Sequence, residues 1–189
     1  MGKLFAVAAL GLFALCWPAA WPLPTGAPLG SCENMVPRHQ GITSQTGPSP
    51  HSIMTQNSGS NVRVYINGPN YKGILLEARY PNANTAVGTW ATPPDNTKTI
   101  PCFSRIDSAI THSNIADKTN TTIYTWIPPS LENCTEKAVV FLATVAQRKE
   151  IYWLNLTSEK IYVRCSGSMT SLSGFAVLAT LMVSGLAAF

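Results

Sequence analysis

The residues with the clearest chemical capacity are Asp107, His112 and Ser113, with His39 and His51 as further imidazoles. A hydrolytic triad needs a hydroxyl nucleophile, an imidazole base and an orienting carboxylate beside an oxyanion hole. The spacing argues against that chemistry. His112 and Ser113 are sequence neighbours, and neighbours on a strand point to opposite faces. No GxSxG elbow or glycine-rich oxyanion loop accompanies them. The stretch therefore reads as polar side chains tying down a loop, and the chain as not an enzyme. The three histidines form no HxH or HxxxH pair, so neither a metal site nor a cofactor is expected. A helical bundle with paired haem-ligating histidines is absent from the pattern as well.

Of the five cysteines, Cys16 lies in an apolar leader, leaving Cys32, Cys102, Cys134 and Cys165. An even set without a CxxC pair in a secreted chain points to two disulfides, with three connectivities open. Each bridge closing a loop of tens of residues contributes on the order of 3–4 kcal/mol. Three sequons follow the same compartment logic: Asn120-Thr-Thr, Asn133-Cys-Thr and Asn155-Leu-Thr. Each used site places a glycan on a solvent-facing position. Asn133 is set apart, because its middle residue is Cys134, a cysteine assigned to a disulfide.

The segments that flank these residues read as processing signals. Lys3 precedes an unbroken apolar run, residues 4–16, and then Pro18, Pro22 and Pro24. That order is a signal peptide, assigned to residues 1–27 with the cleavage point left open between 16 and 30. Residues 175–189 are apolar with no basic residue after them, where a stop-transfer helix would carry one. Upstream lie Ser166, Gly167 and Ser168, then a mainly polar spacer. Small residues, spacer and apolar tail match a glycosylphosphatidylinositol (GPI) attachment signal, so residues 166–189 are assigned to it, with the anchor at Ser166. A tail-anchored membrane span is the alternative. The remaining residues 28–165 form one domain, since roughly 140 residues suffice for one core and not two. The formal charge of +4 is spread with acids and bases interspersed, so no nucleic-acid partner is expected.

The elements that must hold these residues are strands. Residues 61–66 (NVRVYI) alternate, with Val62, Val64 and Ile66 on one face. Residues 73–80 (GILLEARY) turn Ile74, Leu76 and Ala78 inward, with Glu77 and Arg79 outward. Residues 86–90 and 121–126 are rich in β-branched and aromatic side chains. Residues 138–145 (AVVFLATV) are apolar on both faces, as in a central strand. The short polar stretch 147–150 makes a hairpin with residues 151–155, and residues 161–164 complete the set. Residues 40–60, rich in Gly, Pro, Ser, Thr and Asn, are expected to be extended loop. Turn-formers between short strands give an all-β fold, an antiparallel β-sandwich with Greek-key connections. Trp90 and Trp153 are assigned to its core rather than to stacking on sugar rings.

Residues 30–53 (GSCENMVPRHQGITSQTGPSPHSI) resemble the opening of the reeler domain, the reelin N-terminal module. The resemblance continues in order through KGILLEAR (72–79), VGTW (87–90), DSAITHS after Cys102 (107–113), TWIPP (125–129) and FLATVAQ (141–147). It implies an immunoglobulin-like sandwich and the pairings Cys32–Cys102 and Cys134–Cys165. Ferric-chelate-reductase-like members add a haem-binding module and a membrane bundle, which do not fit here. Short members resemble invertebrate defence proteins. The expectation is thus an extracellular or cell-surface protein, held to the outer leaflet by a lipid anchor. It would bind an unidentified ligand on a microbial surface, glycan or matrix, in innate defence. The alternative is an accessory ectodomain of a ferric-reductase-like system.

Overall fold

The computed structural model describes residues 25–39, 41–130 and 136–163, with the backbone of 169–170. Cys134, Cys165, Asn133, Ser166, residues 1–24 of the leader and the apolar tail lie outside the described residues. Among the described residues eleven strands run β1 (Ser52–Ser58), β2 (Asn61–Asn67), β3 (Gly73–Arg79), β4 (Thr89–Trp90), β5 (Thr97–Ile100), β6 (Ala109–His112), β7 (Tyr124–Ile127), β8 (Lys137–Arg148), β9 (Ile151–Thr157), β10 (Ile161–Val163) and β11 (Met169–Thr170). They make an all-β, antiparallel, two-sheet sandwich. One sheet has the order β1-β2-β7-β4; the other runs β11-β10-β8-β3-β6-β5, with β9 also on β8. The chain crosses between sheets after β2, β3, β4, β6 and β7, so each sheet is assembled from segments distant in sequence.

Period-2 alternation builds the interior. Val62, Val64 and Ile66 of β2 are fully buried and face Ile74, Leu76 and Ala78 of β3 and Phe141, Ala143 and Val145 of β8. Trp126 packs edge-on to Phe141 with ring centroids 5.3 Å apart, and Trp90 approaches the same ring at 5.9 Å. Each indole satisfies its N–H on a backbone carbonyl, Trp126 on Val87 at 3.0 Å and Trp90 on Ser108 at 3.3 Å. Both tryptophans of this layer are structural, and Trp153 is half-buried against it.

A second, smaller core covers the opposite face of the larger sheet. Leu75, Ile100, Cys102 and Ala109 pack there against Cys32 and Met35. The segment 25–39 lies across this face and is held along its length. Ala27 donates its N–H to Thr111 Oγ1 at 2.8 Å, and Thr144 Oγ1 donates to the Met35 carbonyl at 2.6 Å. Cys32 is joined to Cys102, with the Cα atoms 5.6 Å apart.

Four expectations are corrected. Glu77 and Arg79 do not face solvent: they are 0% and 3% exposed. Strand β3 sits between β6 and β8, and its second face lies under the 25–39 segment, which the alternation within β3 cannot reveal. Residues 52–58 form an edge strand rather than loop, paired residue for residue with β2. Position 112 closes strand β6 rather than sitting in a loop. Regular strand in 86–90 shrinks to Thr89–Trp90, with Ala86 bridging Arg79 in isolation. The β8–β9 hairpin turns at Lys149 and Glu150.

Candidate functional site

Three clusters of chemically capable side chains emerge. The first is the clamp under the 25–39 segment. Arg79 Nε donates to Glu77 Oε2 at 2.9 Å, its Nη1 donates to the Glu33 carbonyl at 3.1 Å, and its Nη2 donates to the Cys32 carbonyl. A guanidinium suits this task, because its rigid fork serves several acceptors at once. The guanidinium also lies 6.0 Å from the centroid of Phe103. Glu77 Oε1 has no hydrogen-bond partner. Burial pushes the Glu77 carboxyl up to about 7, while the charge and hydrogen bond of Arg79 pull the other way. A Glu77 oxygen and the sulfurs of Cys32 and Cys102 lie within 4.8 Å of one another, the converging His/Cys/Asp/Glu group among the described residues. The two sulfurs are bonded to each other, so neither supplies the thiolate a metal needs.

The second cluster surrounds His112. Its Nδ1 lies 3.3 Å from the Ile74 N–H and 3.4 Å from Thr111 Oγ1. Burial lowers its pKa below the usual histidine value; Lys118, Lys98 and His39 lower it further, while the Ile74 backbone opposes. Lys118 is 2% exposed and donates to the carbonyls of Lys72, Asn114 and Ala116 at 2.8–3.1 Å. Its burial lowers the pKa to about 8. All three ammonium donors are used on backbone, so this lysine fixes the loop before it rather than offering a charge to a ligand.

The third is aromatic. His51 is buried between Tyr71 and Trp153, with ring centroids 6.0 and 5.5 Å away. Its Nε2 meets the Pro69 carbonyl at 3.1 Å, while Nδ1 is unpartnered. Burial lowers its pKa, against the pull of that carbonyl. Beneath it the Tyr71 and Tyr124 hydroxyls share a hydrogen bond of 2.9 Å, fully buried. Burial raises both phenols, Tyr71 to about 12.

The structure does not assemble the triad residues. Asp107 Oδ1 accepts from Thr99 Oγ1 at 2.6 Å, His112 turns to the β3 backbone, and the Ser113 N–H donates to the Asn96 carbonyl. His39 contacts the Lys149 carbonyl and the Tyr152 ring. Among the glycosylation candidates, Asn120 is exposed in the loop before β7, and Asn155 is exposed on β9. Asn155 sits at a β-bulge with φ +57°, where the register on β8 shifts between Ala143 and Val145.

Asn155 also lines a groove of about 500 Å³ bounded by residues 33–35, the loop 80–84, strand β8 and Lys160. No sequence motif announced this groove; only the sequon at its rim was legible. Among the described residues, no helix is long and apolar enough to cross a membrane.

The chain is similar in structure to the human F-spondin reeler domain, with a TM-score of 0.48 and 19% identity, covering 66% of this chain and 94% of that one. In sequence it is 34% identical over 168 residues to "Putative defense protein 3" of Antheraea mylitta, covering 85% of this chain and 97% of that protein. It is 33% identical over 151 residues to human "Ferric-chelate reductase 1", covering 70% of this chain but only 23% of the reductase. The Reeler domain family matches residues 30–168, most of the chain, and this protein belongs to that family.

Proposed function

We propose that this chain is an extracellular reeler-domain protein, held on the outer leaflet by a GPI anchor at Ser166, that binds rather than catalyses. Its ligand is a component of microbial surfaces, and its role is innate defence. The observation that carries the reading is the likeness to the Antheraea mylitta defence protein, which runs over 97% of that protein's length. Two physical features support it. The Cys32–Cys102 disulfide suits an oxidising compartment. The histidines, Asp107 and Ser113 are each engaged in separate structural contacts, which supports a scaffold over a reaction centre.

The direct test adds the purified, glycosylated protein to bacterial cells and measures bound protein and agglutination. Saturable binding is expected, and its absence across Gram-positive, Gram-negative and fungal cells would sink the reading. Anchoring is tested separately with phosphatidylinositol-specific phospholipase C on intact expressing cells. Release into the medium is expected; retention would point to a membrane-spanning tail.

A second reading rests on the 33% identity to human ferric-chelate reductase, over less than a quarter of that protein. In it, this chain is an accessory ectodomain of a ferric-reductase-like system. Stoichiometric binding of ferric iron or haem by the pure domain would favour it.

A further inference from the structure

The groove beside β9 is bounded on one rim by both side chains of a sequon. Asn155 and Thr157 line it, together with Glu33, Tyr80, Asn82 and Lys160. Its volume, about 500 Å³, is within the range of pockets that hold small organic ligands, roughly 300–1,000 Å³. The lining is mixed. Tyr80 and Pro81 are half-buried and give apolar surface, while Glu33, Asn82, Asn84 and Lys160 are exposed and offer donors and acceptors. Apolar surface with polar groups beside it fits a sugar, which has C–H faces and equatorial hydroxyls.

The backbone sets up the delivery of such a ligand. The bulge holds Asn155 at positive φ, and asparagine tolerates that conformation better than most residues. Asn155 is exposed at the groove rim, with Thr157 Oγ1 donating to its carbonyl at 3.2 Å.

We propose that Asn155 carries an N-linked glycan whose first sugars seat in this groove, so that the domain's own glycan is the groove's occupant. In the attachment step, Asn155 Nδ2 forms a bond to the anomeric carbon of an oligosaccharide carried on a polyprenyl diphosphate. The bond from that carbon to the diphosphate oxygen breaks, the lipid diphosphate leaves, and one amide proton is lost. The seated glycan joins the 80–84 loop to β9, covering Lys160 and the exposed end of the segment at Glu33. Asn120, in an exposed loop outside the groove lining, carries a free-standing glycan by contrast.

The test uses the full chain secreted from a glycosylating eukaryotic cell, with Thr157→Ser, which keeps the sequon, and Thr157→Val, which removes it while keeping a β-branched residue and Asn155. Glycopeptide mass spectrometry reads occupancy, and amide hydrogen exchange reads residues 80–84. Occupancy is expected in the wild type and Thr157→Ser but not in Thr157→Val. Exchange at 80–84 is expected to be roughly tenfold slower in the two glycosylated proteins, the factor given by about one net hydrogen bond of seating. An unmodified Asn155 in the wild type overturns the proposal. So does an occupied Asn155 with exchange at 80–84 identical in all three proteins, the signature of a glycan projecting into solvent.

Discussion

Gly88 occupies a backbone position that no side chain fits. Its φ is +69°, and a Cβ there would lie 2.5 Å from Trp126 Nε1 and 2.6 Å from the Ile127 carbonyl oxygen. The glycine of the VGTW run therefore lets the chain pass close over the indole whose N–H is bonded to the adjacent Val87 carbonyl. Gly88→Ala is expected to lower stability by about 2–4 kcal/mol, from left-handed strain plus displacement of a core indole. Gly47→Ala, where an added Cβ meets nothing within 4 Å, should be near neutral in the same denaturant titration. Glu77 gives a pH signature at the same scale. Its carboxyl titrates near 7 in the folded protein against 4.5 unfolded, so between those values the unfolded chain holds fewer protons. Its contribution is thus fully present below about 4.5 and is lost as pH rises to about 7. His51 and His112, both lowered, act with opposite sign, since the unfolded chain takes up their protons first as pH falls below 6.5. The informative quantity is therefore a difference. The stability of wild type minus that of Glu77→Gln should fall from pH 4.5 to 7 and be flat above, by denaturant midpoints across pH. A difference independent of pH would show that Glu77 stays ionised throughout.

At the scale of elements, the outer face of the large sheet depends on a segment with almost no secondary structure of its own. One short 3-10 turn (Leu29–Ser31) interrupts it, and its attachment comes from the disulfide, the Arg79 fork and hydrogen bonds to β6 and β8. The bridge spans a sequence separation of 70 residues, for which loop entropy gives about 4 kcal/mol. Replacing Cys32 and Cys102 together by serine should cost about that much. Exchange protection should fall first at 25–39 and at the outer-face positions of β3, not in the Val62–Phe141 core. Between the sheets, the buried pair Tyr71–Tyr124 poses a different test. Tyr71→Phe strands the Tyr124 hydroxyl in a site with 0% exposure, at a cost of about 1–2 kcal/mol. The double variant with Tyr124→Phe should recover part of that loss, because both polar groups are then gone. Additive costs in a double-mutant cycle would show that the hydroxyls do not depend on each other.

At the scale of the molecule, the sandwich is a scaffold with two covered faces and one open one. The larger sheet is roofed by residues 25–39, whereas the smaller sheet leaves Met54, paired with a half-buried Tyr65, exposed to solvent, as is Ile123 just before β7. Met54 is 55% exposed and Ile123 41%. Substituting Met54 and Ile123 together by Ser should change stability little, within about 0.5 kcal/mol for each site. If the smaller sheet carries the cell binding proposed above, the same variant loses it; unchanged binding moves the contact to the loops. This outcome separates a sheet-face binder from the loop-based recognition that sandwich scaffolds also support.

By itself, the sequence determined the parts that depend on local periodicity and on paired chemistry. The inward row Val62, Val64 and Ile66, the doubly buried β8 and the hairpin at Lys149–Glu150 follow from alternation, apolar content and turn residues, which act within a few positions. The family was legible for the same reason, as an ordered series of short runs. Other features required the tertiary structure because their causes are remote in sequence. Glu77 and Arg79 are buried because residues 25–39, some 45 positions earlier, lie across their face. Strand β1 exists because β2 offers it an edge, despite a composition suited to loops. The Asn155 sequon was readable, but its place on a groove depends on a bulge set by pairing with β8 and on a loop from the end of β3. Local sequence sets which face a side chain can take, and long-range packing decides what covers that face.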